Sequence, residues 1–149
     1  MKKNLFAVFC TGLILTVLAG CATNADALYA TEKEQNLALA RAKVCEGLLE
    51  AFKQNDYKQM IRFMVPELVN QYPENVFNQA RSDMFKTLGE MDKYEFITEL
   101  KAPIFKNMIY RVAFKRPASD KSVIEQEVLF RVLLVEDKGR VRAMSFVFF

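Results

Sequence analysis

Residues 122–149 read SVIEQEVLFRVLLVEDKGRVRAMSFVFF, and the fold turns on how this stretch pairs with itself. Side chains alternate in character along Ser122 to Glu136, the mark of a strand whose two faces meet different surroundings. Lys138-Gly139 supplies the left-handed backbone of a tight hairpin turn, and a second strand runs from Val141 to Phe149. Pairing Asp137 with Arg140 places Val128, Phe130, Val132 and Leu134 on one face with Val141, Ala143, Ser145, Val147 and Phe149.

Upstream, Pro117-Ala118-Ser119-Asp120-Lys121 has turn composition, and a strand precedes it from about Met108 to Arg116. Pairing Arg116 with Ser122 adds Tyr110, Val112, Phe114, Ile124 and Gln126 to the same apolar face. Before Pro103, Tyr94, Phe96, Thr98 and Leu100 alternate with Lys93, Glu95, Ile97 and Glu99 as a first strand. The opposite face carries Arg111, Lys115, Glu125, Glu127, Arg131 and Arg142, with Arg111 directly across from Glu127. Further along it turns apolar. Leu129, Leu133, Met144, Phe146 and Phe148, with Arg131 among them, form a second row that helices on the first face cannot cover, which suggests an interface.

The period before Gly89 is helical. Thr31 and Glu34 form a T-x-x-E capping box ahead of the stripe Leu37, Val44, Leu48 and Phe52. Asn55-Asp56 stops this helix and caps a short one carrying Tyr57, Met60, Ile61 and Met64, which ends near Pro66. Pro73 and Glu74 open a third, with Phe77, Ala80, Met84 and Leu88 on one side and Gly89 as its stop. The class is therefore α+β: three N-terminal helices packed on a curved, four-stranded antiparallel meander.

The N-terminus has a different grammar. Met1-Lys2-Lys3-Asn4 is a short positive region, and Leu5 to Leu18 is apolar apart from Thr11, Gly12 and Thr16. Leu18-Ala19-Gly20-Cys21 then matches the lipobox of bacterial lipoproteins at every position, and the chain is identified as resembling that class. The resemblance implies a signal peptide over residues 1–20, diacylglycerol on the Cys21 thiol and anchoring to the membrane. Two or more acyl chains hold stably where one holds only marginally. It also implies the bacterial cell envelope. Ala22 after the cysteine favours the periplasmic face of the outer membrane in a Gram-negative cell. Residues 21–30 read as a polar tether and 31–149 as one α+β domain.

Leu88-Gly89, Tyr94-Glu95-Phe96, Val112-Ala113-Phe114 and Glu127-Val128-Leu129-Phe130, in this order of elements, resemble secreted members of the nuclear-transport-factor-like superfamily. A cystatin-like domain has a comparable order. The superfamily fold encloses a pocket between helices and sheet, lined here by Tyr94, Tyr110, Phe114, Gln126, Phe130 and Ser145. It also implies sheet-to-sheet dimers.

Composition narrows the chemistry. Once Lys2 and Lys3 are set aside, the 21 basic and 18 acidic residues of the 149-residue chain nearly balance, so nothing favours nucleic acid. With Cys10 in the leader and Cys21 lipidated, Cys45 is the one thiol of the mature domain, and it sits among Val44, Leu48 and Leu49 as a buried small hydrophobe. There is no His, no phosphate loop and no calcium loop. The expectation is a protein without catalytic residues, metal or cofactor. Its partners are the membrane, through Cys21, and a second copy or an envelope protein, with a small apolar ligand if the pocket is open. The alternative is a small pocket enzyme of isomerase or dehydratase type. For that enzyme the inner strand face offers no carboxylate, and a helix residue such as Asp83 would have to reach in.

Overall fold

The computed structural model describes the backbone of residues 9–149 apart from Pro103, and the side chains of residues 31–149 apart from Lys101 and Pro103. Cys21 and its lipobox neighbours lie outside the residues whose side chains are described, and so does the interruption expected at Pro103. The chain divides into two units, Met1–Leu39 and Ala40–Phe149. In the first, the backbone is helical from Phe9 onward, as part of the helix α1 assigned to Phe9–Gln54. Thr31 and Glu34 therefore fall inside a helix instead of opening one. Residues 21–30 are helical too, in keeping with Ala22, Ala25, Ala27, Leu28 and Ala30, which are good helix formers.

The second unit holds the remaining elements. After α1 come α2 (Tyr57–Met60), a 3₁₀ turn (Ile61–Phe63), α3 (Pro66–Gln71) and α4 (Glu74–Leu88). The strands are β1 (Glu90–Lys101), β2 (Lys106–Pro117), β3 (Val123–Asp137) and β4 (Arg140–Phe148), in the spatial order β1-β2-β3-β4. Each neighbouring pair is antiparallel, so the meander is as expected. Asp56 caps α2 through its Oδ1, which accepts from the Gln59 amide at 2.9 Å. Pro66 starts a helix at its first turn and does not end one, which makes four α-helices among the described residues. Gly89 stops α4 at φ 93°, and a Cβ there would collide with the Lys115 carbonyl oxygen.

The core joins Val44, Cys45, Leu48, Leu49 and Phe52 of α1 to Phe77 of α4 and to Tyr110, Val112, Phe114, Phe130, Val132, Leu134 and Ala143 of the sheet. Asp137 pairs with Arg140 as expected, but the β2–β3 register is displaced by two residues: Arg116 faces Ile124. A shift of two keeps every side chain on its face. It does move Arg111 opposite Leu129, so that Arg111 meets Glu95 directly across β1 and reaches Glu127 only diagonally, at 3.8 Å.

The larger correction lies in β4. Leu134 pairs with Ala143 but Leu133 pairs with Ser145, which leaves Met144 as an extra residue in a bulge. Beyond it the faces exchange. Phe148 now sits across from Phe130 and Phe146 across from Val132, both on the core face, while Ser145, Val147 and Phe149 turn outward. The gain is aromatic burial. Phe148 lies 5.0 Å from Phe52 and 4.6 Å from Phe130, ring centre to ring centre, and Phe146 meets the edge of Tyr72 at 5.1 Å. An unbulged strand would bury Ser145 and Val147 and leave both phenylalanines in water, the costlier arrangement.

Candidate functional site

Where α1 crosses β1 and β2, polar groups meet beneath the helix. Arg41, one turn before Cys45, is almost fully buried, and its Nε donates to Glu99 Oε2 at 3.0 Å. Lys106 Nζ stands 3.8 Å from the other carboxylate oxygen. Glu99 reaches this face because β1 has a register shift between Phe96 and Thr98, which turns Glu99 toward the helix opposite Met108. Without that shift its side chain would point to the outer face, which is where simple alternation puts it.

Next along this face stand Cys45, Tyr94 and Tyr110. Burial, then Glu46 and Glu99, push the Cys45 thiol up to about 12, so it stays protonated and unreactive at neutral pH. Burial likewise raises Tyr110, with smaller contributions from Cys45, Glu46 and Tyr94, and it raises Tyr94 ahead of Glu50 and Glu46. The Tyr110 ring packs edge-on against Tyr94 at 6.4 Å and Phe96 at 5.5 Å, and its buried hydroxyl has no partner among the described residues. At the other end of β2, Arg116 keeps a buried Nε without a partner among the described residues.

Of the residues expected to line a pocket, Tyr94, Tyr110, Phe114 and Phe130 do share the inner face, and the last three are buried in the core cluster. Gln126 is half-buried, its Oε1 unpartnered among the described residues, and Ser145 is exposed on the outer face because of the bulge. Thr98 pairs with Ile109 away from the core. Asp83 does not reach in: it lies exposed on α4, accepting from Gln79 at 2.9 Å. Arg41 and Glu99 are the pair that sequence reasoning missed. A signal for Arg41 existed, since it stands four residues before Cys45 on the apolar stripe of α1 and a buried guanidinium needs an acid.

Clefts elsewhere are lined by other groups. One of about 550 Å³ lies between α3 and the β3–β4 hairpin, against Val65, Leu68, Gln71, Val135 and Met144. Another, of about 510 Å³, borders α4 at Asn78, Arg81, Ser82 and Lys86. There Arg81 is already committed: it donates to the carbonyls of Phe52 at 2.7 Å and Lys53 at 2.9 Å, capping the end of α1. Among the described residues no group of acidic, Cys or His side chains could hold a metal ion.

The sheet's outer face is divided. Near β1 it is an ion-pair lattice of Asp92, Lys93, Glu95, Arg111, Lys115, Glu125 and Glu127, all solvated. The Arg111 hydrogen bond holds Glu95 below the usual carboxylate range, and Lys115 does the same for Asp92. Toward β4 it turns apolar. Leu129 and Leu133 are half-buried, Met144 and Val147 are exposed, and Phe149 is 61% exposed with the Arg131 guanidinium 5.9 Å from its ring centre. Of the six residues expected at an interface, Leu129, Arg131, Leu133 and Met144 are on this side; Phe146 and Phe148 belong to the core.

No protein-family model and no curated protein matches the sequence. Solved structures do resemble the fold. A ketosteroid isomerase-like protein from Erwinia carotovora atroseptica superposes with a TM-score of 0.52 at 16% identity, over 75% of this chain and 93% of that one. The domain shares that protein's α+β fold. Aln2 from a Streptomyces species also superposes with a TM-score of 0.52, at 12% identity over 76% and 89% of the two chains. An NTF-2-like protein of unknown function from Shewanella oneidensis gives 0.46 at 12% identity, over 74% and 97%. At such identities the likeness is one of architecture, which by itself assigns no activity.

Proposed function

We propose that this chain is a lipid-anchored protein of the bacterial cell envelope, on the periplasmic face of the outer membrane in a Gram-negative cell. It is joined to the bilayer through Cys21, and its NTF2-like domain is a non-catalytic interaction module. The observation that carries the anchoring is Leu18-Ala19-Gly20-Cys21 behind a charged and then apolar leader. Three features support the interaction reading. Tyr110, Phe114 and Phe130 are buried in the core, both oxygens of Glu99 face cations, and Met144, Val147 and Phe149 leave apolar surface on the outer sheet face. Replacing Cys21 with Ser is expected to abolish incorporation of a fatty-acid analogue and leave an unprocessed precursor. Labelling that persists in the Cys21→Ser chain, or that never occurs with Cys21 present, rejects the anchor.

One observation favours a second reading, a pocket isomerase or dehydratase: a carboxylate, Glu99, shares the inner face with Tyr110. Saturable turnover of an enolisable ketone or a β-hydroxy carbonyl compound, lost in Glu99→Gln, would replace the interaction module with an enzyme. A blank assay leaves the module standing.

A further inference from the structure

The hairpin that joins β1 to β2 exposes more hydrocarbon than a solvated hairpin end should. Near the end of β1, Ile97 is 48% exposed and Leu100 51%; on the turn itself Ile104 is 75% exposed, and the Ala102 amide closes the turn by donating to the Phe105 carbonyl at 3.2 Å. Large aliphatic side chains held in water at one end of a hairpin imply a partner that covers them. Charge suggests which. Lys101 and Lys106 are cross-strand partners at the base of the turn, and Lys106 reaches Glu99, so two lysines stand at this end of the sheet beside one carboxylate of β1. Exposed aliphatics beside lysines suit the boundary between acyl chains and anionic headgroups, where apolar burial and attraction to phosphate add.

Position adds to this. The domain begins at Ala40, and the neighbouring Arg41 is bonded to Glu99 at the base of the same hairpin, so the chain enters the domain beside this turn. Ala40 stands nineteen positions after Cys21 in the chain, a reach short enough to keep the domain near any bilayer that holds Cys21. We infer that the β1–β2 turn is a membrane-contacting loop, with Ile97, Leu100 and Ile104 seated among the headgroups of an anionic bilayer and Lys106 on their phosphates. The inference rests on the anchoring reading for its local concentration, and its test separates the two.

The chain contains no Trp, so a single introduced indole reports its own surroundings. Full chains carrying Ile104→Trp or Val123→Trp would be placed in vesicles of phosphatidylglycerol and phosphatidylcholine with brominated acyl chains. Val123, 64% exposed, opens β3 beside the turn at the other end of β2 and serves as the distant control. The expected result is a blue-shifted emission that bromine quenches at position 104, with neither effect at position 123. Equal emission at the two positions, in a chain that sediments with the vesicles, overturns the membrane loop and points to a protein partner. Mass spectrometry of Cys21 in the same samples reads the anchor separately. Quenching at 104 without acylation keeps the loop and discards the anchor, whereas acylation without quenching does the reverse.

Discussion

A guanidinium on the core side of a helix is tolerable only where a carboxylate answers it, and Arg41 obtains one from a strand 58 positions away. The pair is shielded, with side-chain exposures of 7% and 19%, so its removal exposes a mismatch that water only partly repairs. Glu99→Gln is expected to cost roughly 2–3 kcal/mol in urea unfolding, less than the 3–5 kcal/mol typical of a fully buried pair. A change within experimental error would show the contact to be an ordinary surface pair. Cys45 predicts a pH dependence. Its thiol is raised in the fold to about 12 from an ordinary value of 9.0, so above pH 9 the unfolded chain sheds a proton that the folded chain keeps. Stability therefore falls as pH rises through that window, and the buried tyrosines Tyr110, Tyr94 and Tyr72 act in the same direction. Melting temperature followed into alkali should decline, and Cys45→Ala should delay the onset. An unchanged onset in that variant would place the loss elsewhere.

At the scale of elements, β4 shows what one extra residue does. Alternation counted from Asp137 and Arg140 is correct as far as Ala143 and fails from Met144 onward, because a bulge leaves no mark on the apolar pattern of a strand that is hydrophobic on both faces. Phe146, Val147, Phe148 and Phe149 are all apolar, so the sequence permits either facing. Tertiary packing decides it: two phenylalanines find Phe52, Phe130 and Tyr72 beneath them. Backbone contacts hold the site as well, since the Val65 amide donates to the Ala143 carbonyl at 2.9 Å and Arg142 donates to the Met64 carbonyl at 3.2 Å. Two substitutions separate the facings. Phe146→Asp puts a charge into the aromatic core and is expected to abolish cooperative unfolding or lower the melting temperature steeply. Val147→Asp, one residue on, should leave the circular dichroism and the melting temperature near those of the parent. The reverse outcome would restore the unbulged register.

For the molecule as a whole, the order of elements, the antiparallel pairing and most of the core were legible, because long periods of 3.6 and 2 residues with Gly89 and Lys138-Gly139 as stops leave little choice. The buried ion pair was not legible, since it depends on a bulge in β1, and the outer face was legible only in part. That outer face carries the last prediction. Correcting the register removes Phe146 and Phe148 from it but adds Val147 and Phe149, so Leu129, Leu133, Met144, Val147 and Phe149 still form a row with Arg131 across it. A second copy suits the row: the same face offers the ion-pair lattice of Glu95, Arg111 and Glu127, which an antiparallel approach could extend across a two-fold axis. Sedimentation of the chain from Ala22 onward should show self-association that Phe149→Asp and Arg131→Glu each weaken by about tenfold or more, the factor that corresponds to 1.4 kcal/mol. Both residues are exposed and outside the core, so circular dichroism should be unchanged in either variant. A chain that remains monomeric at high concentration, with both variants indistinguishable from the parent, would assign the row to another envelope protein.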